Sequence, residues 1–337
     1  MDFVLVENEP LAKYTSWRIG GPARYFANAP TTEALTAALD WAHERDLPVF
    51  VLGGGTNLLI RDGGFPGLVL RYRAQELRTD EATDRAWIAA GAPMAGTARR
   101  LAGQGWAGLE WAEGLPGTIG GAVFGNAGCY GGDIASTLTR AWLLVDGAVE
   151  EWLVERLMYG YRTSALKTHA TTDHRPPATE DGGTKSEERI SHSTNHPSSI
   201  LDPRSWKDSS VVGRQSSVVG PIVVAAEFKL TQADAGELAE RMRSIAAERK
   251  GKTPVGSSCG SVFKNPPGNS AGRLIEAAGL KGTRAGSAEI SQKHANYIVN
   301  LGGAVCDDIL RLIDRARERV AKEFGIELEL EVQLVGK

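Results

Sequence analysis

Residues 51–60 hold three consecutive glycines, Gly53, Gly54 and Gly55, followed by Thr56 and Asn57 and flanked by apolar runs. Three glycines strip every Cβ from one side of a turn and open positive φ to each position. Successive backbone N–H groups can then converge on one point, a concavity suited to phosphate. Thr56 and Asn57 would add side-chain donors. A lone triple glycine fits a hairpin turn equally well. Two familiar phosphate loops are excluded: G-x-G-x-x-G needs glycine where Leu58 stands, and a P-loop needs Gly-Lys-Ser/Thr. A second stretch tips the balance. Residues 114–132 carry eight glycines in nineteen positions, interleaved with apolar residues, so the segment packs rather than links. Two such stretches about sixty residues apart point to one extended ligand with a pyrophosphate, clasped from two sides.

Ser261 sits in a run from Ser257 to Pro266 that also contains Cys259, Gly260, Lys264 and Asn265. A nucleophilic serine needs a base, and outside a polar tract only His43 and His294 are on offer. With no G-x-S-x-G elbow around it, acyl transfer is disfavoured. A serine can instead give a proton to a carbanion when a neighbouring cation, here Lys264, supports the transient alkoxide. Spacing alone still favours a capping or turn serine. Cys259, beside a glycine turn, reads as inert packing. Arg162, after Tyr161 at a strand's end, reads by itself as solvated. Strict alternation over 326–334 puts Glu327, Glu329, Glu331 and Gln333 on one face of a final strand and calls the glutamates solvent-facing. Lys293 and His294 could meet a carboxylate or phosphates, or lie on a charged surface.

The elements that must position these groups are readable in part. Thr31 or Thr32 can cap a helix with Leu35, Ala38, Leu39 and Ala42 at helical spacing. Strands are expected at 48–52, 57–60, 67–72 and 86–90, and a helix at 94–103. Strands 141–146 and 149–155 flank Asp146-Gly147, a hairpin signal. Residues 220–230 form a strong strand, with helices starting near 234 and 270. The clearest helix is 307–324, with Ile309, Leu312, Ile313, Ala316 and Val320 in one stripe and Gly325 beyond it. Residues 168–219 break the pattern. Over 168–210 only six of forty-three residues are apolar and twelve are charged, which reads as a disordered insertion. Within it His192 and His196 stand four apart with no carboxylate framework, so no metal is expected.

At 337 residues with 42% hydrophobic and 23% charged residues, the chain has room for two or three domains with real cores. Net charge is −3 with mixed signs, so neither nucleic acid nor a membrane surface is an expected partner. No signal-peptide pattern opens the chain, no apolar stretch reaches membrane-span length, and the three cysteines are scattered. A cytoplasmic protein is expected.

The two glycine stretches, together with Ser16-Trp17-Arg18-Ile19-Gly20-Gly21-Pro22-Ala23, resemble the flavin-binding half of the UDP-N-acetylenolpyruvoylglucosamine reductase (MurB) family. Tyr161-Arg162-Thr163-Ser164, Gly260-Ser261-Val262-Phe263-Lys264-Asn265-Pro266 and Glu331-Val332 match its remaining motifs in order. Gln333 stands where the family usually has arginine. The resemblance implies a mixed α/β (α+β) fold: an FAD-binding domain of the vanillyl-alcohol-oxidase type in two subdomains, 1–75 and 76–231, then a substrate domain, 232–337, whose last strand returns to the flavin site. It implies non-covalent FAD, NADPH as reductant, and reduction of UDP-N-acetylglucosamine enolpyruvate in peptidoglycan synthesis by a probable monomer. It assigns FAD to Gly53, Gly54, Gly55, Thr56, Asn57 and Leu58, and to Gly114, Pro116, Gly117, Thr118, Gly120, Gly121, Asn126 and Gly128. Ser261 takes the family's proton-donor position, with Arg162 and Glu331 stabilising the enolate. Tyr161, Lys264, Asn265 and His294 are assigned to substrate. An oxidase of the same fold and an inactive flavin-binding module are the competing readings.

Overall fold

Thr31 caps the first helix, accepting the Ala34 N–H at 3.2 Å, in a computed structural model that describes residues 3–169 and 220–337. Of Thr168 and His169 only the backbone is described, and the insertion expected over 168–219 otherwise lies outside the described residues. That helix, α1 (Thr32–His43), follows β1 (Leu5–Pro10) and β2 (Pro22–Ala29) and precedes β3 (Val49–Val51), β4 (Leu58–Ile60) and β5 (Phe65–Tyr72). The first sheet runs β1-β2-β5-β3; β5 lies parallel to both β2 and β3. The triple-glycine loop therefore leaves the end of β3.

The second sheet is antiparallel. Beyond β6 (Leu77–Asp80) and β7 (Arg85–Ala89) it takes in Ile222–Lys229, Leu138–Val145 and Ala148–Leu153, with Ile222–Lys229 beside β7. Asp146 and Gly147 both hold positive φ, 46° and 82°, and Val145 pairs with Ala148. This is the two-residue turn that matches strand twist. Helices α2 (Met94–Gly103) and α3 (Ile119–Gly125) follow β7. Within the second glycine stretch, residues 119–125 coil into a short helix, capped by Thr118, whose Oγ accepts the Gly121 N–H at 3.3 Å. Apolar residues between the glycines supply its buried face, Ile119, Ala122 and Val123. After α4 (Ala165–His169), α5 (Ala235–Lys252) opens on Asp234.

The remaining chain forms a layer of α6 (Ala271–Ala277), α7 (Cys306–Phe324) and a small sheet containing Ala288–Ile290 and Ile298–Asn300. The α7 stripe is buried to within 1% exposure from Ile309 to Val320. At roughly 1.5–3 kcal/mol per buried aliphatic side chain, it is the main anchor of this layer. Its N-terminus is held from afar: Asp62, 244 residues earlier, accepts the Cys306 N–H at 3.0 Å. Trp17 joins the same core, fully buried, and donates through Nε1 to the Ile298 carbonyl at 2.7 Å. The N-terminal segment thereby fastens the last layer to the first sheet.

The expected final strand over 326–334 is shorter. Only Gln333–Val335 is a strand, parallel to β4. The stretch before it changes partners: Lys264 N–H donates to Glu329 O at 2.9 Å and Glu331 N–H to Val262 O at 2.8 Å. Local alternation encodes two faces but not a change of partner halfway along.

Candidate active site

The first glycine stretch meets the second backbone to backbone. A Cβ on Gly54 would stand 2.6 Å from Gly117 Cα, closer than real Cβ atoms approach, and one on Gly53 would stand 3.0 Å from Thr118 Oγ1. Of the three glycines only Gly55 takes positive φ, 63°, and its carbonyl accepts the Ser16 N–H at 3.0 Å. The need for glycine at position 54 comes from the second loop as well as from any ligand, a correction to the reading of the triplet as a phosphate cradle alone. Both loops form one wall of a cleft of about 2180 Å³, several times the roughly 300–1,000 Å³ that holds one small ligand. Residues 53–58 line it, as do Gly114, Pro116, Gly117, Thr118, Gly120, Gly121 and Gly128.

Asn126 is placed elsewhere. It closes α3 in the left-handed conformation (φ 45°), donates from Nδ2 to Gly160 O at 3.1 Å and accepts the Ala135 N–H at 3.1 Å. Its side chain is spent tying the second glycine stretch to the next segment. That segment is a tight turn in which Gly160 and Thr163 exchange backbone bonds at 3.2 Å, and Arg162 sits on it at φ 56°. Ser164 Oγ bolts the turn to α3 through Phe124 O at 2.6 Å. Arg162 is thus carried on the glycine-loop side of the cleft.

Glu331 arrives from the opposite end of the chain. Its carboxylate is 15% exposed and stands 2.8 Å from Arg162 Nε. The Nε–H is not aimed at the oxygen, so the contact is electrostatic rather than a hydrogen bond. Burial pushes the Glu331 carboxyl above the usual range, while Arg162, Lys167 and Lys264 pull it back. The alternation reading, which left Glu331 facing solvent, is corrected here. Ser261 reaches the same place because residues 262–264 pair with 329–332, and it lines the cleft with Arg162, Lys264 and Glu331. Lys264 ion-pairs with Glu329.

Three assigned side chains act differently from expectation. Asn57, expected as a donor to cofactor, gives its Nδ2 proton to the Glu331 carbonyl at 2.9 Å, while its own carbonyl accepts the Gln333 N–H at 3.0 Å. It ties the phosphate-loop candidate to the segment that carries Glu331. Asn265 accepts the N–H of Ala271, the first residue of α6, at 3.1 Å, and lies off the cleft wall. Tyr161 is 58% exposed and also off the wall. His294 lines the cleft with Nδ1 accepting the Asn296 N–H at 3.2 Å and its ring edge-on to Tyr297 at 4.9 Å. Burial lowers its pKa. Lys167, on α4 and in the cleft wall, escaped the sequence reading. Its only local signal was a position five residues after Arg162.

Asn57→Ala is expected to lower stability by about 1 kcal/mol, the usual worth of such a hydrogen bond, while leaving in place the flavin that the resemblance implies. Urea midpoints and flavin content check this together; flavin loss at unchanged stability would return the Asn57 amide to the cofactor.

A two-sheet domain that offers two meeting glycine loops to a large cleft, with a separate α/β layer closing it, defines a cofactor-dependent enzyme with an FAD-binding domain. Residues 23–148 match the profile described as an FAD binding domain. Residues 251–335 match that of the UDP-N-acetylenolpyruvoylglucosamine reductase C-terminal domain. The chain belongs to the UDP-N-acetylenolpyruvoylglucosamine reductase family. It is 50% identical to the reductase of that name from Chloroflexus aurantiacus over 334 residues, 98% of this chain and 97% of that one. The reductase from Rubrobacter xylanophilus is 40% identical over 98% of this chain and 95% of its own. The crystal structure of the Thermus caldophilus reductase superposes with TM-score 0.71 at 33% identity, covering 99% of both chains.

Proposed function

We propose that the chain reduces UDP-N-acetylglucosamine enolpyruvate to UDP-N-acetylmuramate for peptidoglycan synthesis, with NADPH as reductant and FAD as cofactor. Family membership carries the activity. The observation that carries the site is the meeting of Ser261, Arg162 and Glu331 in a cleft whose other wall is two glycine loops.

The residues present fit FAD. Gly121 is exposed on the cleft wall, and a Cβ there would meet only Thr118 Oγ1, at 3.5 Å, so its backbone is open to close approach. Residues 53–56, 58, 114, 116–118, 120, 121 and 128 would hold the cofactor. When bound, FAD supplies two-electron hydride chemistry that no side chain can perform. Attachment is non-covalent in this reading: burial keeps the Cys129 thiol protonated, and it donates to Trp111 O at 3.1 Å.

The chain's own groups then handle charge and one proton. Addition of hydride at the enolpyruvyl β-carbon leaves negative charge on the carbon beside the carboxylate. Ser261 Oγ gives that carbon its proton, and Lys264 supports the resulting alkoxide. Arg162, fixed on its turn, faces the enolate and carboxylate oxygens as they gain charge. Glu331 holds the guanidinium in place and helps position the acid. Lys264 and His294 are the substrate contacts on the cleft wall. Tyr161 and Asn265, off the wall here, are substrate contacts only if the closed complex brings them in.

The division into two flavin subdomains and a substrate layer, action as a monomer, and a cytoplasmic location belong to the same proposal. The sheet arrangement supports the division into subdomains; among the described residues no helix is long and apolar enough to cross a membrane.

The purified holoenzyme is expected to bleach with NADPH under nitrogen and regain colour on addition of the enolpyruvyl substrate. Reoxidation by oxygen alone, with no response to that substrate, would favour an oxidase.

A further inference from the structure

The Arg162–Glu331 pair is gripped from a side that the roles assigned above leave unused. Lys167 lines the cleft from α4, which starts directly after Ser164, the residue bolted to α3. Its Nζ donates to the Arg162 carbonyl, and Nζ and Cε lie 3.9 Å from where a Cβ on Gly125 would stand. Arg162 holds φ 56°, a left-handed backbone that an arginine adopts only when its surroundings require it. We infer that Lys167 is a positioning residue for this pair: its ammonium fixes the strained Arg162 backbone and completes the cationic wall around the Glu331 carboxylate. The inference rests on the functional reading above.

The charged neighbours among the described residues agree with that placement. Glu331 faces Arg162 from the turn, Lys167 from α4 and Lys264 from the segment after Ser261, with the Cys259 thiol and the Tyr297 hydroxyl as its neutral titratable neighbours. Lys167 in turn senses Lys264, Arg162, Glu331 and Glu329. Burial draws the Lys167 ammonium toward losing its proton, and the two carboxylates oppose that loss. A second consequence follows from the strained turn. Without the bond from Lys167, the Arg162 peptide can relax and swing the guanidinium away from Glu331. Lysine suits the task because a compact ammonium reaches one carbonyl and still projects its charge.

The test uses Lys167→Met and Lys167→Arg in the full-length holoenzyme. Methionine keeps the apolar stem and removes both donor and charge; arginine keeps a charge and a donor. Protein labelled with 13C at glutamate carboxyls gives the Glu331 titration, identified by the resonance missing from Glu331→Gln. Lys167→Met is expected to raise that midpoint by about one pH unit, because a cation that favours the charged carboxylate is lost. Lys167→Arg should restore most of it. In stopped flow, Lys167→Met should slow reoxidation by the enolpyruvyl substrate about tenfold, the equivalent of one pH unit of differential interaction, with flavin reduction by NADPH unchanged. An unmoved Glu331 midpoint, or equal slowing of both halves, overturns the inference and leaves Lys167 a structural residue of α4. If the unmutated enzyme is bleached by NADPH but does not respond to the substrate, the functional reading fails, while the titration still decides where Lys167 acts.

Discussion

Ser261→Ala should slow reoxidation by the enolpyruvyl substrate by roughly 10²–10⁴, the worth of a positioned general acid, while bleaching by NADPH proceeds at its normal rate. The asymmetry follows from where a proton is needed. Bleaching calls on no acid from the protein. Saturating the enolpyruvyl double bond does, because charge develops on a carbon flanked by a carboxylate. Ser261 is the hydroxyl that the pairing of 262–264 with 329–332 carries beside Glu331 and Arg162. Ser261→Cys should recover part of the rate, since a thiol also gives up a proton. Stopped-flow traces of the two halves separate the outcomes. Equal slowing of both would mean that Ser261 holds the fold or the flavin instead of supplying the proton.

Gly54→Val should release the cofactor. The added Cβ would stand 2.6 Å from Gly117 Cα and 3.3 Å from its carbonyl carbon. Both obstacles are backbone, so no side chain can swing aside and the two loops must part. Overpacking of this kind costs about 1–3 kcal/mol; if the whole cost falls on the loops that would hold FAD, affinity drops by roughly 10–100-fold. Gly103→Ala is the control, because a Cβ there meets nothing within 4 Å at the end of α2. Flavin content after gel filtration, beside far-ultraviolet dichroism to verify the fold, checks the pair. A folded Gly54→Val protein with full flavin would show that the loops can separate without cost.

The organisation of the cleft explains why these two substitutions should act so differently. Gly54 lies at the seam between the glycine loops, which belong to different sheets; Ser261 lies across the cleft in the layer anchored by α7. Asn57 joins the two sides, since its amide holds the Glu331 carbonyl while its neighbours line the cofactor wall. A shift in the first loop is therefore transmitted to the Glu331 backbone. Loss of flavin in Gly54→Val should be accompanied by a displaced Glu331 titration, whereas Ser261→Ala should leave both in place.

Short-range physics made much of this protein readable from its residues. The 3.6-residue stripe and terminal glycine of α7, the Thr31 cap of α1 and the Asp146-Gly147 hairpin depend on side chains within a few positions of one another. The glycine stretches announced close backbone approach for the same reason, and the motifs carried by 53–57, 114–132 and 260–266 identified the family. Tertiary structure alone decided what those glycines approach: Gly54 meets Gly117, Gly55 the Tyr14 carbonyl and Gly132 the Trp111 side chain. It also decided the burial of Glu331, whose alternating neighbours, taken locally, place it in water. Nothing within a few residues of Glu331 encodes Arg162 or the Asn57 amide, the latter 274 positions away. Periodicity reports that a segment has two faces; only the folded chain determines which face is covered, where the covering partner changes, and which charges are brought together there.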